Sequence, residues 1–411
     1  DNPSTFTEYE EVVLKAPPID NHYCTFAGWV IDYATDEEIS IIPVGTTKNM
    51  ALRATWDLVY KIGNNGNKTI LGLTDIGKTL TKITIPKDVQ EIGDYAFANC
   101  SALKSVIFET GSSLIYIKDN AFSGCSSLTT ITIPSSVWKI CSFSFSGCTN
   151  LETVIFETNS ELEEIMDNVF ENCAKLKNIT LPSSLITIKS SAFEGCSALE
   201  AISIPQNVES IWDYAFADCS SLKSVTFAEN CKLAGISRST FAGCSALETI
   251  TIPSGVQNIG EYAFNGCGKL ASVDFEEGSQ LININQNAFN GCSALATITI
   301  PKSVTKIEEM AFKGCADLAS ITFEQDSTLT YIGINAFSGC SDLTSITIPK
   351  SVTKIDNNAF NGCYELETIT FETGSALTYI GSKTFSGCSS LTTITISLND
   401  VISLGDVFLF C

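Results

Sequence analysis

Seventeen cysteines are the side chains of this 411-residue sequence with the most obvious chemical potential. A thiolate can attack a carbonyl, bind zinc or pair into a disulfide, and spacing decides which of these is within reach. Fourteen of them, from Cys100 through Cys125, Cys148, Cys173 and Cys196 to Cys411, recur at intervals of 23 or 25 residues. No C-x-x-C pair occurs, so the short loop that lets two thiolates grip one zinc ion is missing. A recurring interval places each thiol at the same point of a stacked unit, with neighbouring Cα atoms about 5 Å apart. That lies inside the disulfide range of about 4.4–6.8 Å, but equivalent side chains in a stack run parallel and do not face each other. The ladder therefore reads as buried thiols used as small apolar fillers. Cys24, Cys141 and Cys231 fall off it and are expected to be more reactive than the ladder thiols.

Other catalytic groups are scarce. His22 is the single histidine, which removes most Ser-His-Asp, Cys-His and poly-His metal sites, since each needs a positioned imidazole. Glu109, Glu157, Glu276, Glu324 and Glu372 each follow a phenylalanine in alternate units. They should form an acidic row along one rim, roughly 10 Å apart, too far for two of them to share a metal ion. A solvated loop is the plain reading of this row; a weak cation site or a rim for a basic partner is the functional one. Among 46 acidic residues a pair of carboxylates suited to glycoside hydrolysis can be proposed anywhere and carries no weight. The expectation is a protein without catalytic residues, metal or cofactor.

Charge and hydropathy narrow the partners. With 24 basic and 46 acidic residues the net charge is −22, a surface that repels phosphate backbones and anionic lipid and argues against nucleic acid. No run of 18 apolar residues exists, so no membrane insertion is expected. Apolar residues make up 44% of the chain and charged ones 17%, enough to bury a large core.

The elements that position these residues follow from the repeat. Residues 128–150, LTTITIPSSVWKICSFSFSGCTN, are a short unit, and residues 366–390 a long one with two extra residues in the loop after the strand. Leu128, Ile131 and Ile133 alternate with threonine, the period of a half-buried strand. Pro134 then closes it, because proline cannot donate to a ladder. Val137, Ile140, Phe145 and Cys148 return inward. The residue before the ladder cysteine is Gly, Asn or Asp except at Phe410, so a left-handed cap is expected there, ending one helical or 3₁₀ turn through the A-F-x segment. No unit buries its apolar groups alone; fourteen stacked from Leu80 would bury them all. The expected fold is a solenoid with a curved parallel sheet on its concave face and short turns on its convex face.

On that sheet the outward fifth position of the unit is threonine ten times in fourteen, a generic solvated strand surface. Ile107 and Ile155 depart from it, with Thr132 between them. Ile107, Thr130, Thr132, Ile155 and Thr180 are therefore the candidate partner-binding residues, an apolar patch in a polar setting. Trp138 and Trp212 replace small or polar residues on the return side, where gap filling is the plain reading.

The phrase L-x-x-I-x-I-P-x-x-V-x-x-I-G-x-x-A-F-x-G-C resembles the BspA-type leucine-rich repeats of bacterial and protozoan surface proteins, over residues 80–411. Ser397 replaces the proline of the last unit, which stops at Cys411, so the array is expected to continue or to be followed by a further module. Residues 1–57 lack the repeat. Phe26-Ala27-Gly28-Trp29 and Ala51-Leu52-Arg53-Ala54-Thr55-Trp56 resemble the internalin B-repeat, with Val30 and Arg53 where that family usually has tyrosine. This implies a small β-grasp-like module whose Trp29 and Trp56 serve as core. Residues 58–79 are expected to cap the solenoid, with strands either side of Asn64-Asn65-Gly66-Asn67. The two resemblances imply export, with a leader ahead of Asp1, and a non-enzymatic cell-surface or secreted protein that binds or adheres through its repeats. They imply a protein partner such as a host or matrix protein. A carbohydrate-binding surface protein and a rigid stalk displaying another module are the alternatives.

Overall fold

Each repeat forms one turn of a parallel β-solenoid, and the repeats stack coil upon coil. The computed structural model describes residues 66–73 and 79–395, together with the strands Val12–Val13, Cys24–Ile31, Glu38–Ile39, Ile41–Ile42, Leu52–Ile62 and Ser403–Leu404. The expectations on His22, on the side chains of Cys24, Trp29, Val30, Arg53 and Trp56, and on Ser397, Phe410 and Cys411 lie outside the described residues.

A coil begins at each leucine from Leu80 onward and contributes to three parallel ladders. The broad ladder takes strands such as Lys82–Ile85 and Thr130–Ile133, where isoleucines point inward and threonines outward. The narrow ladder takes two-residue strands, from Glu91–Ile92 to Ser403–Leu404. The third is built from the A-F-x turns. There alternate N–H groups leave the coil: Tyr95 donates to Asp119 O at 2.9 Å, Phe97 to Ala121 O at 2.7 Å and Asn99 to Ser123 O at 2.7 Å. The intervening ones bond locally, as Cys100 N does to Phe97 O at 3.1 Å.

This corrects the expected helical turn. Among the described residues of the repeats no helix forms. A helix is about 10 Å wide and cannot be repeated at a strand spacing of about 4.8 Å, and a backbone that spends half its donors on the next coil cannot close helical bonds. The left-handed cap before the cysteine is present in all thirteen coils from Asn99 to Gly387. A second left-handed residue stands four positions earlier in each, and it is never glycine: Tyr95, Phe143, Tyr214, Met310 and Lys383 are examples.

The interior is columnar. Thirteen phenylalanines from Phe97 to Phe385 stack with ring centroids 4.9–5.8 Å apart and planes within 20° of parallel. Leucine, isoleucine, valine, alanine and cysteine columns run beside them, almost all fully buried.

Coil length controls the broad ladder. A short coil pairs through four residues with the long coil after it, as Lys82–Ile85 does with Ser105–Phe108. A long coil pairs with the next short one through fewer residues: one, Ser105 with Thr130; two, Thr153–Val154 with Asn178–Ile179; or, at the last described junction, three, Thr368–Thr370 with Thr393–Thr395. Coils 176–198 and 199–221 are both short. Between them the broad ladder breaks into a five-stranded and a nine-stranded sheet. The narrow ladder crosses the break intact, pairing Thr187 with Ser210 and Ile188 with Ile211.

At the front, Leu52–Ile62 is one continuous strand. It pairs antiparallel with Cys24–Ile31 and with Lys68–Leu73. Lys68–Leu73 then pairs in parallel with Glu91–Ile92, so the N-terminal strands extend the narrow ladder.

Candidate functional site

The thiols serve the backbone. In twelve successive coils the ladder cysteine donates its S–H to the phenylalanine carbonyl of the preceding coil. The bonds run from Cys125 Sγ to Phe97 O at 3.1 Å to Cys388 Sγ to Phe360 O at 3.2 Å. That carbonyl points inward and also accepts from the cysteine N–H of its own coil. Burial pushes the thiols up, Cys148 and Cys267 to about 12, so they stay protonated at neutral pH, the form that is a poor nucleophile and a poor metal ligand. The off-ladder Cys141 and Cys231 are half-buried, and burial raises their pKa as well. These two are more accessible than the ladder thiols, as greater reactivity requires, although burial outweighs the lowering effect of Lys118 and Lys139 on Cys141.

The rim glutamates have one repeated partner. The Oε2 atoms of Glu109, Glu157, Glu276, Glu324 and Glu372 accept the backbone N–H of Lys87, Ser135, Ser254, Lys302 and Lys350, each at 2.9 Å. Each donor follows the proline that ends the strand of the preceding short coil. The carboxylates are exposed and keep one oxygen toward solvent. Among the described residues no group of three or more His, Cys, Asp or Glu is placed to hold a metal ion.

The broad sheet carries the apolar candidates. Ile107 is 40% exposed and Ile155 46% exposed. Ile107 lies opposite Thr84, and Thr132 lies opposite Ile155. Thr130 joins Ser105 to Thr153, and Thr180 follows the shortened strand Asn178–Ile179. Four of the five lie in the five-stranded sheet on the N-terminal side of the break, and Thr180 directly follows its edge strand. Ile155 and Thr180 share the wall of a hollow of about 460 Å³, with Phe156, Asn178, Leu181 and Pro182. The hollow opens where the loop of the long coil diverges from the short coil that follows. Ile107 stands two coils away, about 10 Å along the stack.

A second surface runs along the narrow ladder. Tyr116 and Trp138 meet edge to face at 6.0 Å, and Lys118 lies 4.5 Å from the Tyr116 ring. Lys189 Nζ sits 3.8 Å from the Trp212 ring centre. Lys354 lies between Tyr331 and Tyr379, at 5.4 and 5.3 Å, and pairs with Asp356 at 2.7 Å. The two tryptophans were visible in the sequence. The exposed Tyr95, Phe143 and Tyr214 were not; their signal is the position five residues before the ladder cysteine, where the backbone turns left-handed.

Comparison with known proteins bears on the repeats. The sequence profile described as "BspA type Leucine rich repeat region (6 copies)" matches residues 76–198, 156–236, 232–328 and 318–411. A leucine-rich repeat protein from Bacteroides ovatus has a similar solved structure, 27% identical, with a TM-score of 0.50 over 82% of this chain and 92% of that one. A leucine rich cell surface protein from Faecalibacterium prausnitzii is 26% identical, with a TM-score of 0.49 over 85% and 94% of the two chains. No curated protein matches the sequence.

Proposed function

Because the chain belongs to the BspA-type leucine-rich-repeat family, we propose that it is a non-enzymatic binding or adhesion protein of the cell surface or extracellular space. In this reading it engages a protein partner through the broad sheet of its first five coils. The observation that carries it is the pair of exposed isoleucines, Ile107 and Ile155, on a face otherwise lined with polar residues, mostly threonine and serine, the second beside an open hollow. A rigid spacer needs only a solvated face; apolar groups left in water on rigid strands are what a partner's side chains can cover. The chemistry-bearing groups support the same reading, since the ladder thiols and rim glutamates are engaged by the backbone of the coil before them. Family resemblance points to host or matrix proteins as the partner class.

The test is the double substitution Ile107→Lys/Ile155→Lys, assayed against immobilised matrix proteins and host cells. Binding should weaken about tenfold or more, while circular dichroism and melting stay those of the parent. Unchanged binding by the folded variant removes this patch from the site.

A further inference from the structure

The narrow ladder has its own hollow, of about 500 Å³, beside Trp212. Its origin is legible in the register. Lys189, Trp212, Ser237 and Gly260 occupy one outward row in four successive coils, as fixed by the pairings of Ile188 with Ile211, Ile211 with Ile236 and Ile236 with Ile259. Lys189, from the preceding coil, covers one face of the indole. The following coils offer only a serine and a glycine in that row, so the other face opens along the stack. In the adjacent row stands Gly235, where other coils carry Tyr116, Tyr331 and Tyr379.

The two glycines differ in cause. A Cβ on Gly260 would come within 2.6 Å of the Ser237 carbonyl carbon, so the close approach of two backbones requires glycine there. A Cβ on Gly235 would meet Asn258 O at 3.5 Å, ordinary contact, and its φ is not left-handed. Packing therefore does not require the missing side chain at 235. Its absence keeps the space beside the tryptophan open.

The walls select a ligand class. Trp212 is 46% exposed and presents a flat apolar surface. Glu209 and Asp213 line the same hollow and are exposed, and Asp213 spends Oδ1 on Arg238 N at 3.1 Å. Asn258 accepts from Asn283 at 3.0 Å and keeps its own NH₂ as a donor. Carboxylates repel an anion. An ammonium already on the indole disfavours a second cation on the opposite face. A neutral ring with polarised C–H groups on its face and hydroxyls on its edge satisfies all of these, stacking on the indole and donating to the carboxylates. The volume falls in the range of small-ligand clefts, about 300–1,000 Å³.

We propose that the hollow beside Trp212 binds a pyranose ring of a neutral glycan, stacked on the indole face that Lys189 leaves open. The site lies on the narrow ladder, apart from Ile107 and Ile155, and stands independently of the protein-binding reading.

The experiment titrates the whole chain with neutral gluco-, galacto-, manno- and xylo-oligosaccharides, read by tryptophan fluorescence and calorimetry. At least one series should bind. Trp212→Ala and Gly235→Tyr should each weaken it more than tenfold, while Trp138→Ala leaves it unchanged. Gly235→Tyr places at that position a side chain three other coils already accept, so its folding is expected to hold and circular dichroism checks it. Three results overturn the proposal: no neutral oligosaccharide binds, binding survives both substitutions in folded protein, or an arginine-rich peptide binds in a Trp212-dependent way where the sugars do not.

Discussion

At the residue scale, the ladder cysteines join burial to backbone satisfaction. Each thiol fills a methyl-sized volume and donates to a carbonyl that would otherwise rely on one bond. The pH dependence follows. Burial raises Cys148 and Cys267 to about 12 in the folded chain, whereas an unfolded thiol ionises near pH 8.5. The folded state therefore binds these protons more tightly. The resulting stability is fully present below that pH and is lost as pH rises toward about 12. The melting temperature should be flat from about pH 6 to 8 and fall above about pH 9. The fall should be smaller in Cys148→Ala/Cys267→Ala, and an equal alkaline slope in parent and variant would speak against this role. The role of cysteine as an apolar filler was legible from spacing; its hydrogen bond was not, because the acceptor lies in another coil. The cap before it was legible because Gly, Asn and Asp share tolerance of positive φ. The second left-handed position was hard to see, because asparagine fills it in only five of thirteen coils and the rest are mixed. Tyr95, Phe143, Met310 and Lys383 have no common chemistry, and the stack imposes on them a conformation costing about 1–2 kcal/mol per residue.

At the element scale, the rim glutamate couples each long coil to the short coil before it. Glu324→Ala removes the partner of Lys302 N–H, a group that proline-ended strands leave orphaned. The expected cost is about 1–2 kcal/mol, felt locally. Amide exchange at Lys302 should accelerate while exchange in the distant coils does not change; a uniform acceleration would show that the carboxylate acts otherwise. The recurrence of these glutamates could be read from the sequence. The bond could not, since Glu and the N–H it accepts are 22 residues apart. The same limit applies to the candidate sites. Ile107 and Ile155 stood out because they break a threonine pattern on a strand whose faces alternate. The hollow beside Ile155 depends on how a long loop and a shortened strand part company, which no single repeat encodes.

At the scale of the whole molecule, the sequence interval predicts the stack and its internal fault. Two successive gaps of 23 residues, Cys173 to Cys196 to Cys219, are plain in the sequence. Their meaning appears only with the register, where short pairs fully with long and coil 176–198 is followed by a coil of its own length. Deleting residues 176–198 restores the alternation and should give a folded chain with one uninterrupted broad sheet. Hydrogen exchange in the parent should show a step in protection between Ile179 and Ala201, and that step should vanish in the deletion. Loss of folding in the deletion would mean that the out-of-step coil is needed by its neighbours. The helical turn expected on the far side failed for a reason of the same scale: spacing between coils, not local propensity, decides what the A-F-x segment can form.

The alternation also bears on how such a gene can change length. Unequal crossing-over that exchanges one short coil together with its long partner leaves every interface matched, so arrays should grow and shrink by doublets with little penalty. An exchange out of step by a single coil leaves behind a scar, and the lone coil at 176–198 has that form.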